Sequence, residues 1–208
     1  MSNKAQQLLS PDRLYTASEI GIRPCPVPAT AGVYAFYFNE PPPGIDSKDC
    51  HRHDQHALLY VGIAPSRVPS KSHLRKRLQT HYFGNAEGST LRQTLGCLLS
   101  EQLAIKLRRV GSGTTYTFTN PGEQVLDDWM RKHAFVTWVE TSAPRELEDY
   151  LLSSAGLRLP LNLQGNPWQE AVTIVSAIRS KARQLADQLE IIIDRGGPRK
   201  KAKLLTPS

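Results

Sequence analysis

The chain has 208 residues, 39% of them hydrophobic and 22% charged, which suits one domain, or one domain with an appendage, and excludes a disordered chain. Mean hydropathy is −0.39, no apolar stretch approaches the roughly 20 residues of a membrane span, and Met1 to Ser10 lacks the basic-then-apolar pattern of a secretory signal. A cytoplasmic location is therefore expected, and the formal net charge of +7 with a pI near 9.5 suits an anionic partner.

Residues 1–30 are polar and proline-bearing, and are expected to hold one short helix or strand in an otherwise irregular N-terminal extension. The run GVYAFYF, 32–38, reads as a strand. Residues 39–56 read as a long loop, because Pro41, Pro42 and Pro43 forbid strand and helix alike. LLYVGIA, 58–64, is a second β-rich run that can pair antiparallel with the first. Leu74, Leu78 and Tyr82 then repeat at helical spacing, with Ser72 as N-cap and Gly84 as stop. A helix is predicted from Ser89 to Leu99, a strand over 103–110, a turn at 111–113 and a hairpin partner in TTYTFT. A helix over 122–133 leads into the strand AFVTWVE, 134–140. Residues 144–155 read as a helix capped by Thr141 or Ser142, with Pro144 in its first turn.

After an irregular stretch at 157–166, a long helix is predicted over 167–193. Its stripe of Val175, Ile178, Ala182, Leu185, Leu189 and Ile192 suits packing on the domain, a dimer contact being the second option. Residues 195–208 read as a basic disordered tail. These elements imply an α+β fold: a small central antiparallel β-sheet flanked by helices, with a long C-terminal helix. The expected divisions are an N-terminal extension at 1–30, a domain at 31–166, a C-terminal helix at 167–194 and the tail.

The positive charge is concentrated. From Pro65 to Arg109 there are nine Arg or Lys (Arg67, Lys71, Arg75, Lys76, Arg77, Arg92, Lys106, Arg108, Arg109) against Glu87 and Glu101, and the tail adds Arg199, Lys200, Lys201 and Lys203 with no acid. Such zones fit a nucleic acid backbone, solvated surface charge being the plainer alternative. Cys25, Cys50 and Cys97 form no CxxC pair and fit free thiols in a reducing compartment. The cluster Cys50-His51-Arg52-His53-Asp54-Gln55-His56 invites zinc, but lacks the paired-ligand spacing of structural zinc sites.

Five features stand in order: Gly32-Val33-Tyr34, Tyr60-Val61-Gly62, Arg77 in LRKRLQTHY, Glu148 in Glu148-Asp149-Tyr150-Leu151-Leu152, and Asn162 in LPLNL. Together they resemble the GIY-YIG nuclease superfamily over roughly residues 30–165. The resemblance implies a metal-dependent DNA endonuclease, closer to a restriction-like enzyme or mobile-element nuclease than to a repair subunit. Its alternative is a catalytically silent nucleic-acid-binding module of the same fold. The resemblance implies Mg2+ or Mn2+ as cofactor with Glu148 as its ligand, and a catalytic set of Tyr34, Tyr60, Arg77, His81, Glu148 and Asn162. Tyr34 is assigned as general base and Tyr60 as its positioning partner, with the reverse assignment open. Ile63 stands where some relatives carry a lysine, which points away from the repair subfamily.

The residue types suit the chemistry. Phosphodiester hydrolysis needs an activated water, neutralised charge at phosphorus and a stabilised leaving oxygen. An arginine fork suits phosphate, and one carboxylate plus substrate phosphate can hold a magnesium ion that keeps several waters. On a helix Glu148 shares its face with Leu151, Leu152 and Ala155, which turns it toward the packed side; a salt bridge to an arginine is the plainer role. Each tyrosine taken alone is an ordinary core residue. His81 lies at i+4 from Arg77, suited to phosphate binding or proton transfer, or else a surface histidine. Arg75 and Lys76, with Asn85, Ser89 and Arg92 in the small, polar segment 84–92, are expected DNA contacts. Cutting both strands asks for a homodimer or two successive nicks, and the sequence leaves open whether a partner methyltransferase protects the host.

Overall fold

A computed structural model describes residues 3–66 and 70–193. The expected basic tail at 195–208 and Arg67 lie outside the described residues. A four-stranded antiparallel sheet forms the centre, with strand order β2-β3-β1-β6: β1 Gly32–Phe38, β2 Arg52–His53, β3 His56–Ala64 and β6 Ala134–Glu140. A two-stranded hairpin, β4 Arg108–Val110 and β5 Thr115–Thr117, stands apart. The helices are α1 Asn3–Leu9, α2 Ala17–Gly21, α3 Leu74–Phe83, α4 Thr90–Leu98, α5 Thr119–His133, α6 Pro144–Asp149 and α7 Gln169–Asp187. This is the expected α+β arrangement with a C-terminal helix. Among the described residues no helix is long and apolar enough to cross a membrane.

All seven residues of β1 are buried, because helices cover both faces of the sheet. Alternation sends Tyr34, Phe36 and Phe38 into one core with α2, α3, α4, α5 and α7, and Val33, Ala35 and Tyr37 into a second with α1, α6 and the turn after it. Strand β1 pairs with β3 so that Tyr34 faces Gly62 and Phe36 faces Tyr60. Both edges are covered by irregular chain, which leaves few unpaired backbone groups open to other strands. On the β6 side Tyr15 and Val136 exchange two backbone hydrogen bonds of 2.8 and 2.9 Å. On the β3 side Leu161 N donates to Leu59 O at 3.1 Å.

Several boundaries differ from the sequence reading. The N-terminal stretch holds two short helices rather than one element, and Ala5, Leu8 and Leu9 enter the second core. The long loop after β1 contains the two-residue strand β2, and the strand predicted over 103–110 narrows to β4. His73, not Ser72, caps α3, its Nδ1 accepting from Lys76 N at 3.2 Å. The helix over 144–155 ends at Asp149, where a π-turn, Tyr150–Ser154, takes over. Ala143 occupies its N-cap without a side-chain cap bond, while Thr141 Oγ1 accepts from Ala143 N. On α7 the buried positions are Val175 and Ala186, and Leu185 is 53% exposed. The inward face therefore drifts from the expected stripe by one residue along the helix, as a 3.6-residue turn allows.

Candidate active site

The motif glycines have a steric cause. A Cβ on Gly62 would meet the Tyr34 hydroxyl at 2.5 Å and its ring carbon at 2.6 Å. Glycine here lets the Tyr34 ring lie flat against the backbone of β3. A Cβ on Gly32 would meet Val139 O at 2.2 Å and a Leu74 methyl at 2.7 Å, so its absence lets β1, β6 and α3 meet. Tyr60, two residues before Gly62, shares that face. The Tyr34 and Tyr60 rings lie 6.3 Å apart.

Helix α3 brings Arg77 and His81 over these rings from one face, one turn apart. Arg77 Nε donates to the Tyr34 hydroxyl at 3.3 Å, and its Nη1 donates to Gly88 O at 2.9 Å. His81 is fully buried. Its Nε2 lies 2.7 Å from the Tyr34 hydroxyl and its Nδ1 lies 2.7 Å from Ser89 Oγ. Because Arg77 already donates to Tyr34, the phenol can give its own hydrogen to Nε2, which leaves Nδ1–H for Ser89. Burial first, then the charges of Arg77 and Arg92, hold the His81 pKa well below its ordinary value, so the ring is neutral and able to accept.

Glu148 comes from α6, on the opposite layer, and is half-buried. It stands close enough to Tyr34 and Tyr60 for its charge to raise both phenol pKa values. Burial is the larger cause for each tyrosine, and Arg77 opposes it. Burial also raises the Glu148 pKa, against the pull of Arg145. The site is therefore a half-desolvated carboxylate, two protonated phenols, one guanidinium and one neutral imidazole.

The structure thus brings together Tyr34, Tyr60, Arg77, His81 and Glu148. It gives Asn162 a different part. The Asn162 side chain accepts from Val61 N and donates to Val61 O, each at 2.9 Å. Both of its polar groups bond the backbone between Tyr60 and Gly62, which suits a positioning role.

Among the expected DNA contacts, Lys76 is exposed and Arg75 is partly buried, its Nε donating to Val27 O at 2.7 Å. Asn85 is partly buried and accepts from Gly88 N at 3.1 Å. Two expectations are overturned. Ser89 is fully buried as the N-cap of α4, its Oγ accepting from Arg92 N at 3.1 Å beside His81. Arg92 is fully buried too, bridging Glu123 Oε2 at 2.6 Å and Asp127 Oδ1 at 2.7 Å. Neither side chain reaches the surface, so neither touches DNA. The reading of His81 as a surface histidine falls for the same reason.

The Cys50–His56 loop disperses its candidate ligands. Cys50 turns to Asp46 O, His51 Nε2 lies 2.7 Å from Leu9 O, and the His56 ring packs on Phe135. Among the described residues no group of three or more His, Cys, Asp or Glu gathers to hold a metal.

Sequence reasoning missed two neighbours of the centre. Thr90 is close enough to the Tyr60 hydroxyl to lower its pKa, and Arg145 is the cation nearest in effect to Glu148. Neither carries a spacing signal. Thr90 reads as a plain first-turn residue, and Arg145 as one charge in the run Arg145-Glu146-Leu147-Glu148.

No curated protein and no solved structure gives a significant match. The family model described as the GIY-YIG catalytic domain matches residues 32–184, a span that holds both glycine–tyrosine strands, α3 and the Glu148 helix. The chain belongs to the GIY-YIG catalytic-domain family, a family of nucleases.

Proposed function

We propose that the protein is a divalent-metal-dependent DNA endonuclease that hydrolyses phosphodiester bonds. One observation carries this reading: the Tyr34 hydroxyl is held between Arg77 Nε and His81 Nε2 while Glu148 acts on the same hydroxyl from another element. A phosphate needs a positive fork, a proton acceptor and a carboxylate-held cation at one point, and these side chains supply the parts contributed by protein.

The donor set fits a hard cation that keeps most of its water. Glu148 is a single half-buried carboxylate whose pKa burial raises against the pull of Arg145, and Mg2+ or Mn2+ would stabilise its ionised form. When bound, such an ion supplies Lewis-acid neutralisation of the phosphate. Arg77 stays charged at any working pH and is placed to stabilise charge gathering on the phosphate oxygens. Tyr34, the assigned general base, would receive a proton from the attacking water as it passes its own to the neutral imidazole at His81 Nε2. Tyr60, beside Tyr34, orients the reacting groups. The basic surface, with Lys76 exposed on α3, favours a polyanionic substrate.

The test is cleavage of supercoiled plasmid with magnesium or manganese, comparing the wild type with Glu148→Ala and with an EDTA control. Nicking or linearisation that needs metal and disappears in Glu148→Ala is expected. DNA binding in a gel shift without cutting, across several metals and branched substrates, would transfer the reading to a silent binding module.

A further inference from the structure

On α7, Ser176, Arg179, Ser180 and Arg183 fall at i, i+3, i+4 and i+7, so they form one stripe. With Leu163 they line a surface cleft of about 220 Å³. Arg179 Nη2 and Arg183 Nη2 donate to the same atom, Gln93 Oε1 on α4, at 2.6 and 2.9 Å. Two guanidinium ions thus converge on one neutral oxygen, and among the described residues no carboxylate pairs with either. Asp187, one turn beyond Arg183, is held instead by Tyr116 and Arg109. Arg183 is further oriented over the Tyr116 ring at 5.4 Å.

This arrangement is poor as a structural device. Like charges brought together repel, and the half-buried Arg179, without a counter-ion among the described residues, loses part of its hydration. Burial first, and Arg183 second, lower the Arg179 pKa. An anion with several acceptor oxygens removes both costs, and two planar forks beside two serine hydroxyls match the acceptors of a phosphodiester.

The cleft lies within electrostatic range of Tyr60, through Arg179. Gln93, which gathers the arginines, stands one turn from Thr90, which acts on the Tyr60 hydroxyl. One helix turn is about 5 Å of axis, so α4 couples the two positions rigidly.

We propose that Arg179 and Arg183, gathered by Gln93 with Ser176 and Ser180 at their sides, form a subsite on α7 that grips a second DNA backbone phosphate and sets the register of the strand across the Tyr34–Tyr60–Glu148 centre. The proposal rests on the nuclease reading. It gives α7 a part in substrate binding in addition to packing.

The experiment measures binding of a fluorescein-labelled, mixed-sequence 30-base-pair duplex (a length chosen to be roughly three turns of B-DNA) by anisotropy, in EDTA, over a series of salt concentrations. Plasmid cleavage is run in parallel. Each phosphate contact adds about 0.9 to the slope of log K against log salt. The Arg179→Gln/Arg183→Gln variant should therefore lose about 1.8 from that slope, while Arg179→Lys/Arg183→Lys should keep it. Should the double variant melt early, Arg183→Gln alone changes an exposed residue and should lose about 0.9. Wild-type cutting together with slopes unchanged in every glutamine variant would overturn the subsite and leave the nuclease reading intact. A wild type that neither cuts nor binds in a salt-dependent way would overturn both.

Discussion

Glu148 meets two opposed demands. Function asks it to be ionised, while its half-buried setting raises its pKa. Between the ordinary carboxylate value and the raised one, the unfolded chain has released this proton and the folded chain still holds it. Folded stability contributed by this group therefore falls as pH rises through that window. Glu148→Gln removes the titration. In thermal melts without metal it should flatten this slope and leave Tm at neutral pH equal to or above that of the wild type, while metal-dependent plasmid cleavage is lost. A variant that melts well below the wild type at neutral pH would show the carboxylate to be structural. Much of the centre was legible at this scale. The glycine, tyrosine, arginine and glutamate types occur in a fixed linear order, and the glycines have a local steric cause beside Tyr34 and Leu74. Arg92 and Ser89 were not legible as interior groups. A basic residue after a Gly/Ser-rich segment looks the same in sequence whether it meets phosphate or a buried Glu123, and only the fold brings Glu123 to it across 31 positions.

At the level of elements, β3 depends on a partner that is not a strand. Its outer edge past β2 is held by Leu161 N and by the Asn162 side chain, which bonds both backbone groups of Val61. Asn162→Ala would strand a buried N–H and a buried C=O, a cost of about 2–4 kcal/mol and a fall in Tm of roughly 10 °C for a chain of this size. Because Val61 sits between Tyr60 and Gly62, cleavage should drop even at temperatures where circular dichroism finds the variant folded. Full cleavage by the folded variant would mean that β3 holds Tyr60 without the clamp. Such a clamp is visible in sequence only as an asparagine in a Leu/Pro stretch. The strands were legible because β1 and β3 are dense in β-branched and aromatic residues. The π-turn at Tyr150–Ser154 was not, since Leu151 and Leu152 fit an uninterrupted helix equally well. On α7, Ala186 rather than Leu185 is buried, because it lies three turns from Val175 on the inward face.

For the molecule as a whole, Arg92 is the point where the helical layer above the sheet is joined. Its guanidinium reaches the end of α3 through His81 O and Tyr82 O at 3.1 and 3.2 Å, and α5 through Glu123 and Asp127. Glu123 in turn accepts from Ala86 N and Phe118 N at 2.8 and 3.2 Å. One buried network thus fixes α3, the loop after it, α4 and α5 relative to one another, and through α3 it sets Arg77 and His81 over Tyr34. Removing the cation leaves carboxylates buried without compensation, which costs about 3–5 kcal/mol. Arg92→Leu should therefore lower Tm by roughly 10 °C. It should do so without changing the salt dependence of DNA binding when binding is measured below the variant's melting transition, because no phosphate contact is lost. Lys76→Gln, at an exposed position beside Arg77, should do the opposite and lower the salt slope by about 0.9 with Tm unchanged. If Arg92→Leu instead kept its Tm and lost salt slope, Arg92 would be a surface cation and the helical layer would have to be held by other means. The contrast separates charge that builds the site from charge that meets the substrate, a division that depends on burial and that net charge alone cannot express.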